Sequence, residues 1–126
     1  RYYPASCSVH FKLSTVFHTS LTKYFTPDSL EKLFSVLTHN PLGGNVIPRL
    51  RGVRKFRFAD VLKNIGTRGG LRVIYRFMPH RNLIVLYLVY RKSDQSDLLP
   101  HQREYILNFS ILDLSLDELW PPGNKN

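Results

Sequence analysis

The sequence predicts one small α+β domain, in which a largely antiparallel β-sheet packs against a helical hairpin and a C-terminal helix. Two observations give the element order β-α-α-β-β-β-α: strand-like apolar patterns dominate the middle of the chain, and helical apolar spacing flanks them. A third observation, 126 residues with 43% hydrophobic content, is sufficient for a single core. We therefore expect one domain over residues 1–126, with residues 1–8 as an extension and 113–126 as a tail.

Three consecutive strands form the centre of this prediction. In Val53–Ala59, the side chains of Lys55 and Arg57 alternate with two phenylalanines, so cations and aromatic rings should face opposite sides of a sheet. Gly70–Phe77 alternates in the same way and places Arg72 on its more polar side. The sequence thus predicts a sheet with cations along one face.

The third strand, Leu83–Tyr90, is apolar throughout, which is typical of a strand buried on both faces. Residues 79–82 (PHRN) have the composition of a turn and should join it to the preceding strand. Val9–Phe17 is rich in β-branched and aromatic residues and is expected to open the sheet.

Helices are predicted before and after the three strands. His18–Phe25 should form a short helix, and Thr26 and Pro27 should cap a second one that ends at Asn40. Ser93 is expected to begin the last helix, which should run to about residue 112. The core-facing stripe of the second helix comprises Leu30, Leu33, Phe34 and Leu37.

Composition narrows the possible partners and location. A net charge of +9 favours a polyanionic partner, either nucleic acid or an acidic protein. The sequence contains no amphipathic helix with Lys and Arg along one face, so binding to a membrane surface is not favoured. The longest apolar run, Leu83–Tyr90, is too short to span a bilayer. The N-terminal residues lack a signal-peptide pattern, and a single Cys7 excludes an internal disulfide framework. We therefore predict that the protein is located in the reducing cytoplasm.

Six segments follow one another between Ser14 and Phe109: STVF, KYFTPDSLEKLFSVLTHNP, GNVI, GVRKFRFA, GTRGGLRVIYRF and YRKSDQSDL. In order and spacing they resemble the RelE/HigB family of bacterial toxins, and most closely its HigB branch. The resemblance implies a RelE-like fold and the toxin component of a type II toxin–antitoxin system. Such a toxin is a ribosome-dependent, metal-independent endoribonuclease, or mRNA interferase, which cleaves mRNA in the ribosomal A site and inhibits translation. The implied partners are a HigA-like cognate antitoxin, the small ribosomal subunit and mRNA, with no cofactor.

Family site residues fall on matching positions of this chain. The basic strand pair of the family corresponds to Lys55 and Arg57, the arginine of its glycine-x-arginine strand to Arg72, and the lysine at the end of its last strand to Lys92.

Two positions depart from the family pattern. Ser93 stands where well-studied members have a further arginine, and Leu98-Leu99 stands where they have a catalytic tyrosine. The identity of the general base is therefore open.

Cleavage of RNA through its 2′-hydroxyl requires a base, stabilisation of the pentacoordinate phosphate and an acid. None of the five histidines has a carboxylate partner in a recognisable motif. We expect Lys55 to be the base and Arg57 and Arg72 to stabilise the phosphate. Lys92 is a candidate acid or second phosphate contact, and Tyr90 a proton carrier or stacking platform.

The register between the second and third central strands decides the rest of the site. Either Tyr90 and Lys92 or Tyr87 and Arg91 should share the face of Arg72, because a slip of one residue exchanges the two pairs. The sequence leaves both alternatives open.

Further cations should bind ribosomal RNA or mRNA phosphates in a salt-dependent manner. They are Arg49, Arg51, Arg54, Lys63, Arg68 and Arg91. Two other functions stay open beside the interferase. One is a gyrase-directed toxin of the ParE type, which shares the fold without the basic set, and the other is an RNA- or ribosome-binding relative without turnover.

Overall fold

The computed structural model describes residues 9–109 and 119–120, which form four helices and one six-stranded sheet. Along the chain the elements are β1 (His10–Leu13), α1 (Thr15–Thr19), α2 (Leu21–Tyr24), α3 (Pro27–His39), β2 (Asn45–Val46), β3 (Arg54–Phe58), β4 (Leu71–Met78), β5 (Leu83–Arg91), α4 (Pro100–Asn108) and β6 (Leu119–Trp120). The spatial strand order is β2-β3-β4-β5-β1-β6. Every pair is antiparallel except β1 with β5. No helix in the described ranges is long and apolar enough to cross a membrane.

The predicted central strands are confirmed within a residue or two at their ends. β5 is buried at every position, as its continuous apolar sequence predicts. A bulge interrupts its pairing with β4, since Ile74 is opposite Leu88 while Tyr75 is opposite Leu86. Tyr87 is the extra residue, and beyond the bulge Arg72 lies opposite Tyr90.

Each face of the sheet carries its own hydrophobic cluster. Helices α1–α3 cover one face, where Phe17, Phe34 and Leu37 pack against β4 and β5 residues such as Tyr75 and Leu86. On the other face, α4 and the segment before β3 cover a second cluster. Its members include Leu50, Val53, Ile74, Tyr90, Leu98 and Ile106. Burial on both faces makes the central hairpin a rigid support.

The predicted first strand, Val9–Phe17, is wrong in its second half. β1 ends at Leu13, and Ser14 caps a helix because its hydroxyl accepts a hydrogen bond from the Phe17 amide. That hydroxyl also donates to the Tyr87 carbonyl, which fixes the chain where the strand turns into α1. This N-cap outweighs the β-propensity of the residues after it. Three helices therefore replace the predicted hairpin of two.

The start of the last helix also differs from the prediction. Residues 93–99 form turns, and α4 begins at Pro100, whose ring is suited to the first helical position. The Gln102 side chain accepts a hydrogen bond from the Leu99 amide at 2.9 Å and closes this start.

The predicted order β-α-α-β-β-β-α also misses two short strands. β2 lies between the predicted second helix and the strand predicted from Val53, and β6 lies inside the predicted tail 113–126. The remaining tail residues and the predicted extension 1–8 lie outside the described residues.

A buried ion pair ties the end of β5 to the loop after β3. Arg91 is 8% exposed, and its Nε donates to Oδ2 of Asp60, itself 1% exposed, at 2.7 Å. Nη2 of Arg91 also donates to the Lys23 carbonyl at 3.1 Å, and Cζ of Arg91 lies 4.9 Å from the centre of the Tyr24 ring. One guanidinium therefore joins β5, α2 and the 60–70 loop.

Asp60→Asn should lower the free energy of unfolding by roughly 3–5 kcal/mol, because it leaves the buried Arg91 charge without its partner. Urea unfolding at neutral pH measures this loss. The matched control is Asp94→Asn, an exposed aspartate that should change stability by less than about 0.5 kcal/mol. Equal, small effects of both substitutions would contradict the importance of the pair.

Candidate functional site

Four polar side chains, three cations and one phenol, lie on neighbouring strands on the face of the sheet that α4 partly covers. The strand registers place Arg57 of β3 opposite Arg72 of β4, and Arg72 opposite Tyr90 of β5. Lys55 lies two residues before Arg57 and therefore on the same face. We call Lys55, Arg57, Arg72 and Tyr90 the cationic row. The predicted cluster of Lys55, Arg57 and Arg72 is thus brought together by strand pairing.

Arg72 is the buried centre of the row, at 5% exposure. Its Nη1 donates to the Thr67 and Leu71 carbonyls, both at 3.1 Å, and its Nη2 donates to the Arg68 carbonyl at 2.7 Å. Burial lowers the pKa of Arg72 from its usual value, and the nearby Arg57 charge lowers it further. Part of the guanidinium therefore holds the glycine-rich 66–70 loop, and Nε and one N–H of Nη2 are left for another acceptor.

Lys55 has an acidic partner that its sequence neighbours do not reveal. Its Nζ lies 3.3 Å from Oδ1 of Asp97, in the turn before α4, with side-chain exposures of 31% and 59%. The Leu98 amide donates to the same oxygen at 2.8 Å. That amide is the main cause of the lowered pKa of Asp97, and Lys55 and Arg103 lower it further.

The hydroxyl of Tyr90 is buried beside these charges. Tyr90 is 2% exposed, and its oxygen has no hydrogen-bond partner among the described residues. Burial raises the pKa of Tyr90 to about 12, and the negative charge of Asp97 adds to the rise while Arg72 opposes it. The phenol stays protonated at neutral pH and has a free hydrogen to donate.

The strand register decides which tyrosine shares the face of Arg72: Tyr90 does, and so does Tyr87 because of the bulge. Tyr90 is the direct partner of Arg72, and the bulge brings Tyr87 to the same side, where Arg76 hydrogen-bonds it. Arg91 faces the opposite side of the sheet, next to Tyr24. Lys92 is exposed, and its amide donates to the Gly70 carbonyl at 2.9 Å, so its backbone lies beside the residue that precedes β4.

The cations predicted to bind RNA separate into exposed and internal groups. Four are exposed: Arg49, Arg51, Lys63 and Arg68. Arg54 is half-buried and donates to the Gly44 carbonyl at 2.8 Å, so it supports the loop before β2. Arg91 is enclosed in its pair with Asp60. An RNA-binding role for Arg91 does not fit this burial, and we leave Arg91 out of the site.

Sequence reasoning missed Asp97 and the nearby Arg103. Asp97 is 42 residues from Lys55, and only the packing of the turn before α4 against β3 brings them together. In the sequence, Asp97 is marked only by its position directly before Leu98-Leu99, which does not indicate a contact with β3. Within residues 9–109 and 119–120, no group of three or more His, Cys, Asp or Glu side chains is placed to hold a metal ion.

Arg72→Lys should loosen the 66–70 loop, because a single ammonium cannot span the three carbonyls that the guanidinium holds. Trypsin cleavage after Arg68, in this exposed loop, should be faster by at least about tenfold, a change that corresponds to roughly 1.4 kcal/mol. Arg57→Lys, on the neighbouring strand, also keeps the number of trypsin sites, so it serves as the control and should leave this rate unchanged. An unchanged cleavage rate in Arg72→Lys would show that the loop does not depend on this side chain.

Tyr90→Phe should leave the free energy of unfolding at pH 7 unchanged or raise it by about 1 kcal/mol, because it removes a buried hydroxyl without a partner. The folded protein keeps the Tyr90 proton up to about pH 12, whereas an unfolded tyrosine loses it near pH 10. The contribution of Tyr90 to stability is therefore complete below pH 10 and is lost as the pH rises from 10 to 12. Urea unfolding at pH 7 and pH 11 should show the advantage of the phenylalanine variant increasing at the higher pH.

Comparison with known proteins finds solved structures whose fold is similar to this one. No family model matches the sequence. The fold is similar to a chain of the toxin–antitoxin complex RelBE2 from Mycobacterium tuberculosis, with 22% sequence identity and a TM-score of 0.46. The match covers 64% of this chain and 94% of that chain. Similarity at this level does not assign a function, so the function is derived from the site residues.

Proposed function

We propose that this chain is the toxin of a type II toxin–antitoxin system of the RelE type. Its activity would be ribosome-dependent, metal-independent endonucleolytic cleavage of mRNA in the A site. The observation that carries the proposal is the cationic row, where two guanidinium groups and a buried phenol are held on three paired strands. The sequence resemblance over Ser14–Phe109 to the RelE/HigB family supports the same function.

The row provides what phosphate chemistry needs at a fixed place. Arg57 and the unused donors of Arg72 would bind the non-bridging oxygens and stabilise the charge that develops on the phosphate. Because Arg72 is already held by three carbonyls, its donors need no reorganisation as the charge develops. The protonated Tyr90 hydroxyl would donate one further hydrogen bond.

The proton transfers would involve the two lysines. Lys55 would accept the proton of the 2′-hydroxyl in its neutral amine form, after Asp97 has moved away and the ammonium has lost one proton to solvent. The 2′-oxygen then attacks phosphorus, the bond from phosphorus to the 5′-oxygen breaks, and Lys92 or Tyr90 protonates the leaving oxygen. The products are a 2′,3′-cyclic phosphate and a free 5′-hydroxyl.

The partners follow from the charge distribution. The exposed cations Arg49, Arg51, Lys63 and Arg68 would bind phosphates of the small-subunit RNA and of the message. We propose that the restraining partner is a HigA-like antitoxin with an acidic segment, since a net charge of +9 favours an anionic ligand.

Adding the chain to a cell-free translation reaction should cut a defined message at discrete positions, and only with translating ribosomes. Primer extension locates the cuts. Lys55→Met and Arg57→Gln should each slow cleavage by about 100-fold or more, because each removes a group that acts on the reacting phosphate. Arg81→Gln is the matched control, since this exposed arginine lies in the turn at the far end of the β4–β5 hairpin and should retain full activity.

Other results would favour the other functions. Equal cleavage by all variants would preserve the enzyme and remove the cationic row as its site. Ribosome binding without any cleavage would indicate a non-catalytic relative, and gyrase-linked DNA breaks would indicate a toxin of the ParE type.

A further inference from the structure

We propose that Asp97 occupies the anion-binding position of Lys55 in the free protein, and that an RNA phosphate binds by displacing it. The inference rests on the proposed function for the identity of the anion. It assigns to Asp97 a positioning role in substrate binding, in which the carboxylate holds the Lys55 ammonium at the end of the cationic row until the phosphate replaces it.

The chemistry of the contact suits such an exchange. A carboxylate oxygen and a phosphate oxygen are both anionic acceptors for a lysine ammonium. Oδ1 of Asp97 lies 3.3 Å from Nζ of Lys55, on the face that also carries Arg57. Alternate residues of a strand are about 6.6 Å apart, so an anion that takes this position from Asp97 has a second cation within reach on the same strand.

The strength of the contact also suits an exchange. Both side chains reach solvent, at 31% and 59% exposure, and exposed ion pairs contribute little to stability. The buried pair of Arg91 and Asp60, with exposures of 9% and 1%, shows the contrasting arrangement in the same molecule. Asp97 is therefore placed to hold Lys55 without binding it permanently.

The Leu98 amide makes a clean substitution possible. It donates to Oδ1 of Asp97, and an asparagine oxygen at this place can still accept that bond. Asp97→Asn therefore removes the negative charge while keeping the contact that shapes the turn before α4. Asp94→Asn, in the same segment and exposed, removes an equal charge away from Lys55 and is the matched control.

The experiment measures binding of a fluorescein-labelled single-stranded RNA whose 2′-O-methyl groups prevent cleavage. Asp97→Asn should lower its Kd about two- to fivefold, the range expected when one exposed ion pair no longer competes. Asp94→Asn should change the Kd by a smaller factor, arising only from the general field. In a Lys55→Met background, Asp97→Asn should have no larger effect than Asp94→Asn, since the carboxylate acts through the ammonium.

Three results would overturn the inference: an unchanged or weaker affinity of Asp97→Asn, an equal gain in Asp94→Asn, or a gain that persists without Lys55. Absence of RNA binding by all variants would overturn it as well. The readout does not involve cleavage, so the two proposals can fail separately. Tighter binding by Asp97→Asn in a protein that never cuts mRNA would remove the enzymatic function alone, and cleavage without any tightening would remove the displacement alone.

Discussion

The register of β5 on β4 determines which side of the sheet receives each charged group at the end of the hairpin. Pairing of Arg72 with Tyr90 places the phenol beside the cations, and the alternation of a strand then sends Arg91 to the opposite side. There Arg91 meets Asp60 at 2.7 Å. A slip of one residue would turn the phenol to the opposite face, away from Arg72, and leave Asp60 without its partner, so the ion pair and the candidate site depend on the same register.

The glycine-rich loop is held from both sides of the sheet as a consequence. Arg91 binds Asp60, the first residue of the 60–70 loop, from one side of the sheet. Arg72 binds the Thr67 and Arg68 carbonyls, in the glycine-rich part of this loop, from the other side. Gly70 ends the loop where a Cβ would lie 2.7 Å from the Phe58 carbonyl and 2.6 Å from the Gly66 carbonyl, so only glycine fits. Arg72 thus holds the loop, and in the proposed function it would also bind the phosphate, so loss of its side chain would affect both.

Local patterns in the sequence were sufficient for the central strands and for α3. The Thr26 cap was correct because it depends on residues three positions apart, as the hydrogen bond from the Ser29 amide to the Thr26 hydroxyl shows. The faces of Lys55, Arg57 and Arg72 were correct because strand alternation is also local. The bulge at Tyr87, the hydrogen bond from the Ser14 hydroxyl to the Tyr87 carbonyl and the contact of Asp97 with Lys55 depend on partners 42 or more residues away or on cross-strand geometry, which periodicity does not contain.

The cationic row is electrostatically unfavourable without an anion. Arg57 and Arg72 are opposite each other on neighbouring strands, and like charges in that position repel. The fold tolerates this because Arg72 is neutralised in part by three carbonyl dipoles, and because Asp97 supplies one negative charge at the edge of the row. Both compensations are incomplete, since the carbonyls leave donors unused and the carboxylate is exposed. In the proposed function, a phosphate that enters the row would relieve the remaining repulsion, so the unfavourable contact between Arg57 and Arg72 would favour binding of an anion at this place.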